Sequence, residues 1–369
     1  MFKYFPKTII NFFLFSGCVF MLLLLFSWDS TVEVYKNHKH VRFKNILPNP
    51  KRLINLNNFK YIINNKRCNE NYIEGVLIVT SYAGDPQGRS AHRRALPDEQ
   101  LWDIYFKRVF LLASIPKEDK YAITQEALIN ENERFHDIIQ GNFDEAYRNL
   151  TYKHIMGLKW ASENCGQVEY IIKMDDDIII DIYGILNILN RNKQPKNLLM
   201  GYILKNMQPK RDPINKWFVK ESEYASNVYP TFLSGWLYIT NPYTARLLVA
   251  ESNDVPYFWI DDVYVTGILA ESLYIKHQSI NKYYTVHPEN IECCINDWKK
   301  YNYKCDYLIC TNGNDFNLFV KYAKLAFDCN KLNKCLDRPD DKNIDNTCVA
   351  HRHTNPINKG EPIIQMVKL

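Results

Sequence analysis

Hydrophobic positions fall into three regimes along the chain. From Thr8 to Trp28 there is no charged residue, and Phe, Leu, Ile, Val and Met dominate, a stretch long enough to cross a hydrocarbon core of roughly 30 Å. Between that stretch and about residue 70 the sequence is basic and Asn-rich, with Pro48 and Pro50 and no sustained apolar period, which predicts a stem. Strand and helix signals then alternate. Short buried-type runs predict strands at Gly75–Tyr82, Val109–Ala113, Val168–Asp175, Asn197–Leu204 and Leu233–Thr240. Helical spacing links Ala146, Leu150, His154, Leu158 and Ala161 within Asp144–Asn164, and Asn241-Pro242 starts a further helix through Leu247, Leu248 and Ala250. Such alternation predicts an α/β sheet, whose ligands collect at the carboxyl ends of strands. The expected organisation is a tail over 1–7, a membrane span over 8–28, a stem over 29–70, a catalytic domain over 71–300 and a polar, cysteine-rich extension over 301–369.

Charge and cysteines refine this picture. A formal net charge of +5 over 369 residues is small, and Lys and Arg are scattered without a concentrated basic block, which argues against nucleic acid as partner. The span reads as an uncleaved anchor, because the apolar cores of signal peptides run to about 7–15 residues and no small-x-small site follows Ser27-Trp28. Lys3 and Lys7 favour a cytoplasmic amino terminus, but Lys36, Lys39, Arg42 and Lys44 flank the other side, so charge leaves orientation open. Nine of ten cysteines lie beyond the span and seven crowd between Cys293 and Cys348, which predicts disulfides in an oxidising lumen with one thiol left over. Paired Cys-x-x-Cys spacing is missing, although Cys348 beside His351 and His353 keeps a zinc site open. The sequon Asn149-Leu150-Thr151 is compatible with N-glycosylation.

The chemistry concentrates at Asp175-Asp176-Asp177, three carboxylates between the apolar runs Ile171-Ile172 and Ile178-Ile179-Ile180. Carboxylates beside a buried strand are costly unless paired, so a divalent cation is the expected partner. On an extended strand Asp175 and Asp177 would share one face, with Asp176 opposite. An Asp-x-Asp pair can hold a hard cation that also grips phosphate oxygens. A solvated acidic turn, as expected for Asp340-Asp341 beside Pro339, is the bland alternative, and the apolar flanks count against it. A haloacid-type phosphatase would want threonine where Ile179 stands. Further on, Asp261-Asp262 precede a helical stretch from Val263 to Ala270, so either can cap it while the other projects as a general base. His287 before Pro288 is, taken alone, more easily structural than catalytic.

In order along the chain, these pieces resemble the family 31 glycosyltransferases, the β-1,3-galactosyltransferase and β-1,3-N-acetylglucosaminyltransferase group of Golgi type II membrane enzymes. The block Phe143-Asp144-Glu145-Ala146-Tyr147-Arg148-Asn149-Leu150-Thr151, followed by Trp160, Cys165 and Lys173-Met174-Asp175-Asp176-Asp177, is similar to the family's Asp-x-x-Tyr-x-Asn-Leu-Thr to Lys-x-Asp-Asp-Asp signature. Arg89-Ser90-Ala91-His92-Arg93 resembles its Arg-x-Ala-Ile-Arg motif; Lys216-Trp217, Tyr229-Pro230 and Ser234-Gly235 resemble acceptor-side elements; Asp261-Asp262-Val263-Tyr264 resembles its acidic-Asp-Val-Tyr motif, and His287-Pro288 through Trp298 the segment carrying a metal-site histidine. Departures are Ala95-Leu96 for Thr-Trp, Leu233 for cysteine, which leaves the partner of Cys165 open, and Leu237 for glycine beside the bulky Trp236.

The resemblance implies a GT-A type, Rossmann-like nucleotide-sugar-binding domain behind the transmembrane anchor, with the catalytic domain in the Golgi lumen. It implies inverting, metal-dependent transfer of galactose or N-acetylhexosamine from a UDP-sugar to a glycan on a glycoprotein or glycolipid, in β-1,3 linkage. Asp262 would be the base. Asp175, Asp177 and His287 would hold Mn²⁺ or Mg²⁺; Thr80, Arg89, Arg93, Lys173 and Asp176 would serve the donor; and Lys216, Trp217, Tyr229, Gly235, Trp236 and Asp261 would lie on the acceptor side. An inactive lumenal relative acting as a binding or chaperone-like protein, and an unrelated metal-dependent hydrolase, are the competing readings.

Overall fold

In the computed structural model, which describes residues 51–69, 72–115, 123–191 and 194–348, eleven strands alternate with helices among the described residues. The strands are β1 (Tyr61–Asn64), β2 (Gly75–Thr80), β3 (Phe106–Ser114), β4 (Ile138–Asp144), β5 (Tyr170–Asp175), β6 (Ile178–Ile180), β7 (Leu199–Leu204), β8 (Phe232–Thr240), β9 (Gln278–Ser279), β10 (Tyr284–Thr285) and β11 (Ile309–Thr311). Helices of eight residues or more are α1 (Pro86–Ala95), α2 (Gln125–Phe135), α3 (Leu150–Asn164), α4 (Ile182–Leu189), α5 (Pro242–Glu251), α6 (Pro288–Tyr301) and α7 (Phe316–Ala326).

The strands form a mixed eight-stranded sheet in the order β1-β4-β3-β2-β5-β8-β7-β9, and a small sheet in the order β10-β11-β6. Strands β2, β3, β4 and β5 pair in parallel, and β8 joins β5 antiparallel. The run Gly-Val-Leu-Ile-Val-Thr of β2 is apolar on both faces because helices cover both sides of the sheet. Leu77, Val79, Ile172 and Met174 face one core with residues of α4, α6 and α7, while Val76, Ile78 and Ile171 face the other with α3 and α5. Helix α3 lies close against β3: a Cβ added at Gly157 would come within 2.3 Å of Leu111 Cδ1. Asn241 caps α5 by accepting from the Thr244 amide, with Pro242 in the first turn.

The structure departs from the sequence expectation in three places. The helix expected from Asp144 begins at Leu150, because Ile138–Asp144 pairs with β3 and β1 as β4 and Tyr147–Asn149 forms a 3₁₀ turn. Residues 61–64 of the expected stem pair with β4, and Cys68 is bonded to Cys165, so the folded unit takes in more than residues 71–300. At the other end, α7 buries Leu318, Phe319, Tyr322, Ala323, Leu325 and Ala326 at helical spacing, so part of the expected extension from 301 onward packs into the core, with Ile344 buried near the end of the described residues.

The other disulfides are Cys293–Cys348, Cys294–Cys305 and Cys329–Cys335, with Cys310 a buried free thiol. Cys348 is thereby removed as a zinc ligand. Residues 1–28, with the expected membrane span, lie outside the described residues; among those described, no helix is long and apolar enough to cross a membrane.

Candidate active site

The chain order places β3 and β4 to one side of β2 and β5 to the other, so a crevice opens at the carboxyl ends of β2 and β5. Register pairs Thr80 with Asp175 there. Strand β8 runs antiparallel beside β5 and brings its early residues Ser234, Gly235 and Trp236 to the same end. A cavity of about 680 Å³ results. It is lined by Thr80, Asp175, Asp176, Asp177, Lys216, Trp217, Tyr229, Gly235, Trp236, Asp261 and Asp262, all singled out from sequence.

Strand β5 ends at Asp175, and Asp176 and Asp177 form a turn before β6, so the strict face alternation expected of an extended strand does not apply. All three acids therefore reach the cavity. The turn is fixed by its main chain: the Asp176 amide donates to the Thr80 carbonyl (3.1 Å), and the Asn312 amide donates to the Asp177 carbonyl (2.8 Å). Burial pushes the Asp175 carboxyl up to about 8, against the pull of Lys173, and Asp176 up to about 6. Asp176 Oδ2 is buried with no hydrogen-bond partner.

Across the cavity, Asp262 accepts from the Val263 amide (2.8 Å) and the Gly235 amide (3.2 Å), so it both caps the helical stretch and points at β8. Burial, with the Asp261 charge beside it, raises its pKa. Burial works to raise Asp261 as well, but the His154 hydrogen bond and the Lys173 charge outweigh it and hold that carboxyl below the usual range. His154 is buried, which lowers its pKa and keeps it neutral; Nδ1–H donates to Asp261 Oδ2 (2.9 Å), and Nε2 accepts from the Tyr238 hydroxyl (2.7 Å). Lys173, itself buried, donates to Asp175 Oδ1 (2.6 Å) and the Gly235 carbonyl (2.6 Å). One ammonium thus ties the acidic turn to the residue whose amide binds Asp262.

Other predicted residues lie elsewhere. Arg89 is fully buried and bonds Glu131 and the Tyr82 and Ala83 carbonyls, while Arg93 bonds Glu131 and Asp137. Arg89 ties α1 to the loop after β2 and to α2, and Arg93 ties α1 to Glu131 and Asp137, both off the cavity wall. Lys173 lies beneath the wall, not on it. His287 precedes α6 and is not among the cavity residues; among the described residues, no three of His, Cys, Asp and Glu gather into a group able to hold a metal ion. The Asn149 side-chain Nδ2 donates to the Asp144 carbonyl (2.9 Å), and the hydroxyl of its sequon partner Thr151 is buried against the Phe258 carbonyl (2.8 Å).

Sequence reasoning passed over several cavity residues. Lys153 is buried against Glu145 and donates to the Ser81 carbonyl (2.7 Å), while Glu145 accepts from the Ala113 amide (3.0 Å). Glu145 stood in the recognised block, but its partner lies on the next helix, where Lys153 reads as a solvent-facing position. Tyr147, held by Trp217 Nε1 (2.8 Å), and Trp259 complete an aromatic wall. Thr80 Oγ1, Tyr229 OH and Trp259 Nε1, all on cavity residues, are buried without partners. With Asp176 Oδ2 they are groups that a polyhydroxylated, phosphate-bearing ligand would satisfy.

An α/β domain with acids at the carboxyl end of a central parallel strand and a second acid pair facing them forms the kind of crevice in which such folds bind phosphate-bearing ligands. The galactosyltransferase family model matches residues 88–281. The chain is 30% identical over 290 residues to human β-1,3-galactosyltransferase 2, covering 77% of this chain and 66% of that protein, just under two-thirds of its length. It is 32% identical over 214 residues to human β-1,3-galactosyltransferase 5, covering 58% of this chain and 67% of that protein. Among solved structures, the WbbM bifunctional glycosyltransferase in its apo form aligns at a TM-score of 0.38 and 8% identity, over 69% of this chain and 50% of that one, too loose a likeness to build on. The chain belongs to the galactosyltransferase family, the family 31 glycosyltransferases.

Proposed function

We propose that this chain is an inverting β-1,3-hexosyltransferase of GT-A type, moving galactose or an N-acetylhexosamine from a UDP-sugar to a hydroxyl of a glycan on glycoprotein or glycolipid. The observation that carries this is the facing of Asp175–Asp177 and Asp262 across one cavity, linked by Lys173 and Gly235. Asp262, with its raised proton affinity, takes the acceptor hydroxyl's proton as that oxygen attacks the anomeric carbon from the face opposite the nucleotide. Asp261, kept ionised by His154, favours the protonated product form of its neighbour. No second carboxylate is assigned as a covalent nucleophile, so one displacement inverts the anomeric centre.

Three carboxylates at one turn with the single ammonium of Lys173 beside them leave negative charge uncompensated, so the acidic turn fits Mn²⁺ or Mg²⁺ as a partial ligand set from Asp175 and Asp177. Such an ion supplies charge neutralisation for the departing diphosphate. Thr80 and Asp176 are placed to contact the donor, while Trp217, Tyr229, Trp236 and Trp259 present the acceptor. The disulfides fit an oxidising lumen, and we assign the protein to the Golgi membrane as a type II enzyme anchored through residues 8–28.

The test is a donor screen. Full-length protein with Mn²⁺ should release UDP from one of UDP-galactose, UDP-N-acetylglucosamine and UDP-N-acetylgalactosamine when glycan acceptors are present, with a β-anomeric signal in the product. Silence with every donor and acceptor would give the place to the binding-protein reading.

A further inference from the structure

Beneath the acidic turn lies a histidine that the catalytic reading does not use. His92, on α1, is fully buried, and its Nε2 lies 2.7 Å from the main-chain carbonyl of Asp176. Burial lowers its pKa to about 3, so the ring is neutral. The other nitrogen, Nδ1, is buried with no partner, which puts the single proton on Nε2 as the donor to that carbonyl. Phe110 and Phe319 meet the ring edge-on, with centroids at 5.9 and 4.9 Å, and fix its plane. The helix carrying it is itself pinned by the Arg89 and Arg93 ion pairs to Glu131 and Asp137. Where the motif that this stretch resembles has isoleucine, which cannot donate, this chain has a donor.

We propose that His92 is a positioning residue: its Nε2–H holds the Asp176 carbonyl down into the protein, which turns the carboxylates of Asp175–Asp177 toward the cavity. The turn has two main-chain anchors, Asp176 N to Thr80 O and Asn312 N to Asp177 O, and the peptide between Asp176 and Asp177 is held at its oxygen by His92. Without that donor the part-buried carbonyl loses its partner, and it regains one by rotating the peptide toward the cavity. That rotation moves Asp176 and Asp177 together, so the loss falls on the donor side and spares the acceptor wall. The consequence for catalysis rests on the sugar-transfer reading above; the consequence for the turn does not.

Three variants of the full-length chain separate this from a packing role. His92→Gln places an amide nitrogen where Nε2 stood, His92→Asn reaches only as far as Nδ1, and His92→Leu keeps bulk without a donor. His92→Leu and His92→Asn are expected to weaken UDP–Mn²⁺ binding, read by calorimetry, by roughly tenfold, to speed amide exchange in the peptide covering residues 175–181, and to leave the acceptor KM unchanged. His92→Gln is expected to restore both affinity and protection. The proposal is overturned if Leu and Gln behave alike in exchange and in binding, or if acceptor KM moves as much as donor affinity. If the wild-type protein binds no UDP with Mn²⁺, the sugar-transfer reading falls, while the exchange comparison still decides whether His92 places the turn.

Discussion

Replacing Asp262 with asparagine separates chemistry from shape at this site. The carboxylate accepts from the Val263 amide at 2.8 Å and the Gly235 amide at 3.2 Å. Asparagine can keep the shorter bond through its carbonyl oxygen, but its NH₂ then faces the Gly235 N–H, donor against donor. Losing the longer bond costs about 1–3 kcal/mol. The substitution also removes a buried carboxyl that burial and Asp261 already disfavour in its ionised form, which offsets much of that cost. Folding stability should therefore change by no more than about 1–2 kcal/mol. Catalysis should change far more, since loss of a positioned general base costs about 10²–10⁴ in rate, or about 3–5 kcal/mol of barrier. The assay is UDP release with saturating donor and acceptor, run beside calorimetric titration of UDP with Mn²⁺. Turnover should collapse while nucleotide affinity stays within a few-fold. If Asp262→Asn keeps more than a tenth of the turnover, or loses nucleotide affinity as fully as Asp177→Asn does, Asp262 is not the base.

Two further predictions concern stability. Cys68 and Cys165 close a loop of sequence separation 97, so Cys68→Ala should lower unfolding free energy by about 4–5 kcal/mol on the chain-entropy account, seen as a lower denaturant midpoint; an unchanged midpoint would mean the crosslink carries no constraint. Burial raises the Asp176 pKa to about 6, so the folded state holds that proton more tightly than the unfolded chain. Its contribution is full below about pH 4 and is lost as pH rises through 6. Without divalent cations, Asp176→Asn should gain on wild type by roughly 1–3 kcal/mol between pH 4 and pH 7 in urea titrations, and a gap that stays flat or closes with rising pH would contradict the assignment.

Much of the sheet was legible because its signals are local. The apolar runs of β2, β3, β5, β7 and β8 and the Asn241-Pro242 helix start each sit within one window of sequence, and the structure places elements on all of them. The acidic run was legible because charge between isoleucines is conspicuous. Other elements were not. Strand β1 is four residues long in an Asn-rich stretch and exists because β4 offers it an edge. Helix α7 carries a helical apolar pattern, but it lies in sequence dominated by polar and cysteine residues, and only its packing on the core shows that the pattern is used. Arg89 and Arg93 were expected at the donor because of the motif they resemble, which does not show that Glu131 and Asp137 pair with them.

By itself, the sequence determined which segments could be buried, where three carboxylates would demand a counter-charge, and that the cysteines suited an oxidising compartment, since each follows from residue type and short-range spacing. Tertiary structure alone decided who meets whom: Cys68 with Cys165, His154 with Asp261, His92 with the Asp176 carbonyl, and Asp175 with Asp262 through Lys173 and Gly235. Those pairings join residues far apart in the chain, and they are set by the order in which β2, β5 and β8 lie side by side. Periodicity within a segment carries no information about that order, because it emerges only when both faces of the sheet must be covered at once.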